Sequence, residues 1–151
     1  MGTTTFSGPV RSGTLKSGET NGPNIGLAVL QQETSITQNS TTAVSSTLYI
    51  PVGSKIVNII VDVLTAFNSG TSAVLSVGTS AGGTQYASGV DVKTATGRIT
   101  PTFTAAQLVA MSNVTVLGAA APTTAPVVVT VTPTGATSAG YVRVTIVYSQ
   151  L

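Results

Sequence analysis

Two sets of residues in this 151-residue sequence have types and spacing that could support chemistry. The run Gly78-Thr79-Ser80-Ala81-Gly82 has the Gly-x-Ser-x-Gly spacing of the nucleophile elbow in serine hydrolases. That elbow lies on a turn from a strand to a helix, and its serine needs a histidine to accept the hydroxyl proton. The sequence contains no His. We therefore interpret the run as a turn in a Gly- and Ser-rich sheet protein.

The carboxylates form the second set. Asp62 and Asp91 could act as an acid–base pair, or could join Glu33 around a cation. Glycoside hydrolysis uses two carboxylates at a defined separation, and the aromatic residues that would hold a sugar are limited to four Tyr and three Phe, with no Trp. Calcium loops are dense in Asp, Asn and Gly, and no such loop occurs in the sequence. We predict no catalytic residue, no metal ligand and no cofactor, and expect that the protein is not an enzyme.

Charge is scarce along the whole chain. Asp, Glu, Lys and Arg make up 7% of the residues, against about a quarter in a typical soluble domain. The net charge is +2 and the basic residues are not clustered, so we expect no nucleic-acid partner. Without Cys the chain has no disulfide framework. Such a surface either depends on hydroxyls and amides for solubility or is largely covered by partners.

The sequence also argues against a membrane role. The most apolar stretch, residues 56–64, is interrupted by Asn58 and Asp62 and is much shorter than the roughly 20 residues that span a bilayer. Residues 1–10 do not show a basic start followed by an apolar block, so we expect no cleaved signal.

The first 24 residues differ from the rest. They are rich in Gly, Ser, Thr and Pro, with breakers at Gly8-Pro9 and Gly22-Pro23, and show little periodicity. We predict an extended N-terminal arm over residues 1–24 and a folded domain over residues 25–151. Such an arm either stays mobile or orders against another surface. Its candidate contact residues are the apolar Phe6, Val10 and Leu15 and the basic Arg11 and Lys16.

Residues 25–151 have the pattern of short strands separated by Gly, Pro and Ser turns. Apolar residues alternate along 57–63, 73–77 and 142–148, which predicts strands with one buried face. We predict that 56–66 and 72–78 form an antiparallel hairpin about the turn Asn68-Ser69-Gly70. Crossover helices are missing, which excludes a parallel α/β fold. The predicted fold is all-β: a jelly-roll-like β-sandwich with one short helix and an extended N-terminal arm.

The one helix candidate is residues 103–111. Thr104 can cap its start, Gln107 lies at the capping-box distance, and Leu108 and Met111 have i, i+3 spacing.

Asp91, Lys93 and Arg98 place three of the charges within eight residues of a turn-rich region. Two interpretations remain open at this point. The region is either a solvated loop or an ion-pair network at a subunit interface, where scarce charges would fix register.

Several segments resemble small virion proteins of tailed bacteriophages, in particular the capsid decoration, or cement, proteins. The resemblance covers most of the chain. It lies in Thr5-Phe6-Ser7-Gly8-Pro9-Val10-Arg11-Ser12-Gly13, Val61-Asp62-Val63 through Phe67-Asn68-Ser69-Gly70, Tyr86 to Thr94, Thr102 to Leu108 and Val142 to Tyr148.

This resemblance implies a jelly-roll-like domain, often trimeric, on the outer surface of the capsid, where it bridges neighbouring capsomers. The implied partners are the major capsid protein and further copies of the chain. The residues expected at capsid or subunit contacts are Phe6, Val10, Arg11, Leu15, Lys16, Asp91, Lys93 and Arg98.

A second interpretation is a phage tail or fibre component, or an adhesion module that binds carbohydrate. Sugar-binding faces use exposed aromatic rings, and the candidates are Tyr49, Tyr86, Tyr141 and Tyr148. Strand alternation places Tyr148 with Val142 and Ile146, which predicts a core position for that ring.

Overall fold

A computed structural model describes residues 11–12, 26–38, 40–94, 96–114 and 124–150. Its elements are β1 (Arg11–Ser12), β2 (Gly26–Leu27), β3 (Val29–Thr37), β4 (Val44–Pro51), β5 (Lys55–Thr65), β6 (Ser72–Gly78), β7 (Ala87–Asp91), β8 (Gly97–Ile99), α1 (Ala105–Ser112), β9 (Thr124–Thr134) and β10 (Tyr141–Ser149).

Eight of these strands form two antiparallel four-stranded sheets. Sheet I has the order β3-β10-β5-β8 and sheet II the order β4-β9-β6-β7. Successive strands alternate between the sheets, except that β6 and β7 are neighbours in sheet II. Eight strands in two sheets with these connections make a jelly roll. The predicted all-β, jelly-roll-like sandwich with one short helix is confirmed.

Little of the predicted arm falls within the described residues. Arg11 and Ser12 form β1, which pairs with β2 and places Arg11 opposite Leu27. The other arm positions, including Phe6, Val10, Leu15 and Lys16, lie outside the described residues, and the arm itself stays a prediction.

The predicted hairpin of residues 56–66 and 72–78 is wrong. The strand β5 pairs with β10 and β8 in sheet I, whereas β6 pairs with β9 and β7 in sheet II. The connection between them crosses from one sheet to the other. Asn68 shapes this crossing because its Oδ1 accepts hydrogen bonds from the N–H groups of Ser138 and Ala139, at 2.9 and 3.0 Å. The turn residues predicted a bend after β5, but they did not indicate which strands pair with β5.

The core lies between the two sheets and follows the predicted alternation over most of its length. The side chains of Ala73, Leu75 and Val77 on β6 are fully buried. On β10 the buried side chains are Val142, Val144, Ile146 and Tyr148. The central strand β9 contributes Ala125, Val127, Val129 and Val131.

The predicted face of β5 breaks at one residue. Val147 pairs with Asn58 and Tyr148 pairs with Ile56, so the register shifts at Val57. Such a bulge adds a residue and reverses the alternation beyond it. Ile56 is therefore in the core, and Val57 is 49% exposed.

Helix α1 is capped as the sequence predicts. Thr104 Oγ1 accepts a hydrogen bond from the Gln107 N–H, and Gln107 Oε1 accepts one from the Thr104 N–H at 2.9 Å. Gln107 Nε2 also donates to Thr84 O and Ser88 Oγ, both at 3.1 Å. These bonds attach the helix to the connection between β6 and β7 and to β7 itself.

Gly140 shows how closely the crossing connections pack. A Cβ added at Gly140 would lie 2.3 Å from Cδ1 of the buried Phe67, a distance that requires the ring to move. The same residue accepts a backbone hydrogen bond from Gln38 at 2.9 Å, which limits how far its own backbone can shift.

We therefore expect Gly140→Ala to destabilise the fold by about 2 kcal/mol through overpacking. In a domain of this size this lowers Tm by about 5 °C, measurable by thermal unfolding. The matched control is Gly70→Ala, where an added Cβ meets its nearest atom at 3.7 Å and Tm should not fall. Equal losses in both variants would contradict the steric explanation.

Candidate functional site

A row of four charged side chains crosses the outer face of sheet I, with one residue from each strand. We call Glu33, Arg143, Asp62 and Arg98 the charge ladder; they lie on β3, β10, β5 and β8 in that order. The register places Arg143 opposite Asp62, and Asp62 opposite Arg98. Signs alternate across the sheet, so each neighbouring pair is attractive.

Asp62 is the centre of the ladder. Arg98 donates from Nε to Oδ1 at 2.7 Å and from Nη2 to Oδ2 at 3.1 Å. Arg143 Nη2 donates to Oδ2 at 3.0 Å, while its Nε lies 3.5 Å from Glu33 Oε2 without forming a hydrogen bond. The Asp62 side chain is 11% exposed, against 65% for Arg98.

These contacts determine the protonation state of Asp62. Hydrogen bonds from Arg98, and then from Arg143, outweigh the opposing effect of burial and lower the pKa of Asp62 to about 2. The carboxylate is ionised near neutral pH, with both oxygens engaged by guanidinium groups. Its chemistry is that of a structural ion pair and not that of a proton donor.

Asp91 does not join Asp62. It lies at the end of β7 in sheet II, where its Oδ1 accepts hydrogen bonds from the N–H groups of Lys93 and Thr94 at 2.8 and 3.3 Å, and the Thr94 hydroxyl donates to its Oδ2. These contacts lower the pKa of Asp91, chiefly through the Thr94 hydroxyl. Among the described residues there is no group of three or more His, Cys, Asp or Glu that could hold a metal ion.

The structure separates the predicted set Asp91, Lys93 and Arg98. Arg98 pairs with Asp62 within the same chain, and Asp91 closes a local turn onto the Lys93 and Thr94 backbone. Sequence reasoning did not find the charge ladder because its members are far apart along the chain. The sequence did indicate that Asp62 and Arg143 each lie on the outer face of a strand, because both alternate with core residues. It did not indicate that they are neighbours, because that depends on the strand order.

Sheet II has an outer face of a different kind. Its four strands contain one charged residue, Asp91. We define the uncharged surface as eight exposed or half-buried residues, which lie on the outward side of β4, β6 and β9 and on α1. Its members are Ser45, Thr47, Tyr49, Val74, Pro126, Thr132, Leu108 and Val109.

Large apolar side chains are exposed on the uncharged surface. Tyr49 is 59%, Leu108 54% and Val109 72% exposed. The β6–β7 turn joins the sheet to the helix: Gly82 N–H donates to Thr130 Oγ1 at 2.9 Å, and Gln107 anchors α1 to the same connection. The strands of sheet I also expose large apolar side chains, at Val29, Val57 and Leu64, so the two faces differ in charge and not in the number of exposed apolar residues.

Ser80 lies in that turn. The turn connects two neighbouring strands of one sheet, and the Gly83 N–H donates to Ser80 O at 2.9 Å. A nucleophile elbow leads from a strand into a helix, so the geometry agrees with the interpretation of residues 78–82 as a sheet turn.

The tyrosines differ in accessibility. Tyr86 and Tyr148 are 2% and 5% exposed, which confirms the core position predicted for Tyr148 and removes Tyr86 as a surface ring. Burial raises the pKa of Tyr86. Tyr141 is half-buried at the edge of a shallow cleft of about 220 Å³.

Comparisons with protein-family models, with curated proteins and with solved structures find no match. Within the described ranges, no helix has the length and apolar character needed to cross a membrane.

The charge ladder predicts a pH dependence that belongs to Asp62. Its pKa in the folded protein, about 2, lies below the ordinary value of 3.8. Its stabilising contribution is therefore complete above pH 4 and is lost as pH falls towards 2. We expect Asp62→Asn to have a lower Tm than the parent protein at pH 7, and the difference to narrow between pH 4 and pH 2.

Thermal unfolding across this pH range tests the expectation. Glu33→Gln is the matched control, because it removes a ladder carboxylate and keeps both guanidinium contacts of Asp62. A Tm difference between Asp62→Asn and the parent that stays constant with pH would be evidence against this role of the ladder.

Proposed function

We propose that this chain is a non-enzymatic virion structural protein that decorates the outside of a tailed-phage head. It binds the major capsid protein, stabilises the shell by bridging capsomers and associates as a homotrimer. Neither a nucleic acid nor a membrane is a partner. The resemblance of the sequence to decoration proteins supports the specific assignment, and the jelly roll, a fold of viral capsid domains among others, supports it by analogy.

The observation that carries the proposal is the unequal distribution of charge between the two outer faces. Sheet I holds the charge ladder, whose ionic groups pair within the chain. Sheet II and α1 present the uncharged surface, with Tyr49, Leu108 and Val109 exposed. We assign the uncharged surface to the contact with the shell and sheet I to the solvent side.

Repeated sites would compensate for a weak individual contact. A capsid offers many identical positions, and a trimer that engages several of them gains avidity without a new contact. A contact with the shell that is made by apolar side chains and main-chain hydrogen bonds needs few charged residues. The 7% of charged residues in the chain agrees with such a contact.

Charge substitutions on the two faces test the orientation. We expect Val109→Lys and Tyr49→Lys to weaken binding to undecorated heads at least tenfold, because each would place an ammonium group in a dry contact. Both side chains are exposed, so Tm should change little. The control is Gln31→Lys, an exposed position on β3 of sheet I.

Sedimentation of heads with the purified variants gives the bound fraction. Loss of binding with Gln31→Lys, together with retained binding for both other variants, would reverse the assigned orientation. Fractionation of virions provides the broader test: the protein should be found with heads, at a copy number in proportion to capsomers. Recovery with tails alone would refute the decoration role.

The tail or carbohydrate-binding alternative is favoured by one observation, the exposed ring of Tyr49. Tyr86→Ala cannot test it, because Tyr86 is part of the core and its truncation would destabilise the fold. A glycan-array signal that is abolished by Tyr49→Ala, at unchanged Tm, would favour this alternative.

A further inference from the structure

The free edge of β4 differs from the other edge of its sheet. On the far side of sheet II, β7 has five residues, an irregular register with β6 and Gly89 at φ +70°. Short, irregular edges of this kind resist pairing with another strand. The edge strand β4 has eight residues, pairs with β9 in unbroken register and contains no charged residue.

The backbone groups that face outward from β4 can be identified. Gln32 Nε2 donates to Tyr49 O at 3.0 Å, so the carbonyl of Tyr49 points away from β9. Tyr49 is opposite Pro126, which has no N–H to offer the ladder. In an antiparallel pair, residues whose backbone N–H and C=O point away from the partner strand alternate with residues that bond to it. The backbone groups that point away from β9 are therefore those of Ser45, Thr47 and Tyr49.

We call these three residues the outward row. They span five positions of β4, residues 45–49, and form a template for an added strand. Among the described residues, Gln32 is the group that reaches it, and it engages one carbonyl. The Ser45 and Thr47 side chains are exposed and small enough for a neighbouring strand to approach.

The N-terminal sequence contains a segment that fits. Residues 3–7 read Thr-Thr-Thr-Phe-Ser, bounded by Gly2 and by Gly8-Pro9, and residues 1–10 contain no charged side chain. Thr and Phe favour strands, and the run has the same length as the outward row of β4. Because Arg11 is paired opposite Leu27, the reach of this segment is set by residues 1–10, which span up to about 35 Å when extended, enough to reach an adjacent subunit.

We infer that residues 3–7 of one copy add as a strand to the β4 edge of a second copy. The inference rests on the proposed function, because an array of copies places a neighbour's segment beside this edge. Main-chain hydrogen bonds to the outward row provide the affinity, as in other cases of strand addition.

Crosslinking tests the pairing on a clean background, since the chain has no Cys. Thr5→Cys in one preparation is mixed with Ser45→Cys in another that has a size tag, and a bismaleimide joins nearby thiols. We expect the mixed dimer at a yield at least tenfold above that of a control pair, Thr5→Cys with Thr100→Cys. Thr100 is exposed and follows β8 on the opposite side of the sandwich.

A blocking variant separates strand addition from simple proximity. Thr47→Pro removes an outward N–H and leaves the hydrogen bonds to β9 intact, as edge strands tolerate. Placed in the Ser45→Cys chain, it should reduce the mixed dimer at least tenfold with little change in Tm. Should Thr47→Pro fail to fold, Thr4→Pro in the incoming segment provides the same block without altering the sandwich.

Three results would overturn the inference. The first is that Thr5→Cys crosslinks equally to Ser45→Cys and to Thr100→Cys. The second is that the main product is a dimer of two Ser45→Cys chains. The third is that a chain with both Thr5→Cys and Ser45→Cys crosslinks only within itself. Head binding by the same variants keeps the two proposals apart. Decorated heads without the mixed dimer would refute the edge assignment alone, whereas the mixed dimer without head binding would refute the proposed function.

Discussion

The fold depends on the double-sided pairing of its last two strands. β9 lies between β4 and β6, and β10 lies between β3 and β5, so each sheet is completed by a strand from the C-terminal part of the chain. The inward side chains of both strands are apolar and buried, and their burial provides the main stabilising free energy. Because these pairings join residues distant in sequence, closing the sandwich is entropically costly, and slow folding is expected.

The same pairing determines where charge can lie. Because both inner faces are uncharged and largely apolar, ionic groups are restricted to outer faces and connections. Sheet I brings two carboxylates and two guanidinium groups into alternation, which neutralises them within the chain. Sheet II receives one charged residue at a strand end. The difference between the faces therefore comes from which strands are neighbours, since no segment of the sequence is strongly charged by itself.

Local sequence signals predicted local structure well. The capping box at Thr104 and Gln107 involves residues three apart, and the helix forms there. Alternation predicted the buried faces of β6 and β10, because side-chain direction depends on the strand alone. The partner of β5, the bulge at Val57 and the link from Arg98 to Asp62 were not predicted, because each depends on a strand elsewhere in the chain. Asp91 and Arg98 were grouped because they are close in sequence, yet they belong to different sheets.

The two faces differ in how a partner could recognise them. Ion pairs between exposed groups weaken as salt screens them, and the ladder arginines already have carboxylate partners in the chain. A partner of sheet I would have to compete with those internal contacts. The uncharged surface presents hydroxyls, exposed apolar side chains and an unbroken β4 edge, so its contacts depend on shape and main-chain hydrogen bonds. Association through this surface should therefore vary little with ionic strength, while the ladder acts mainly on the stability of the chain that contains it.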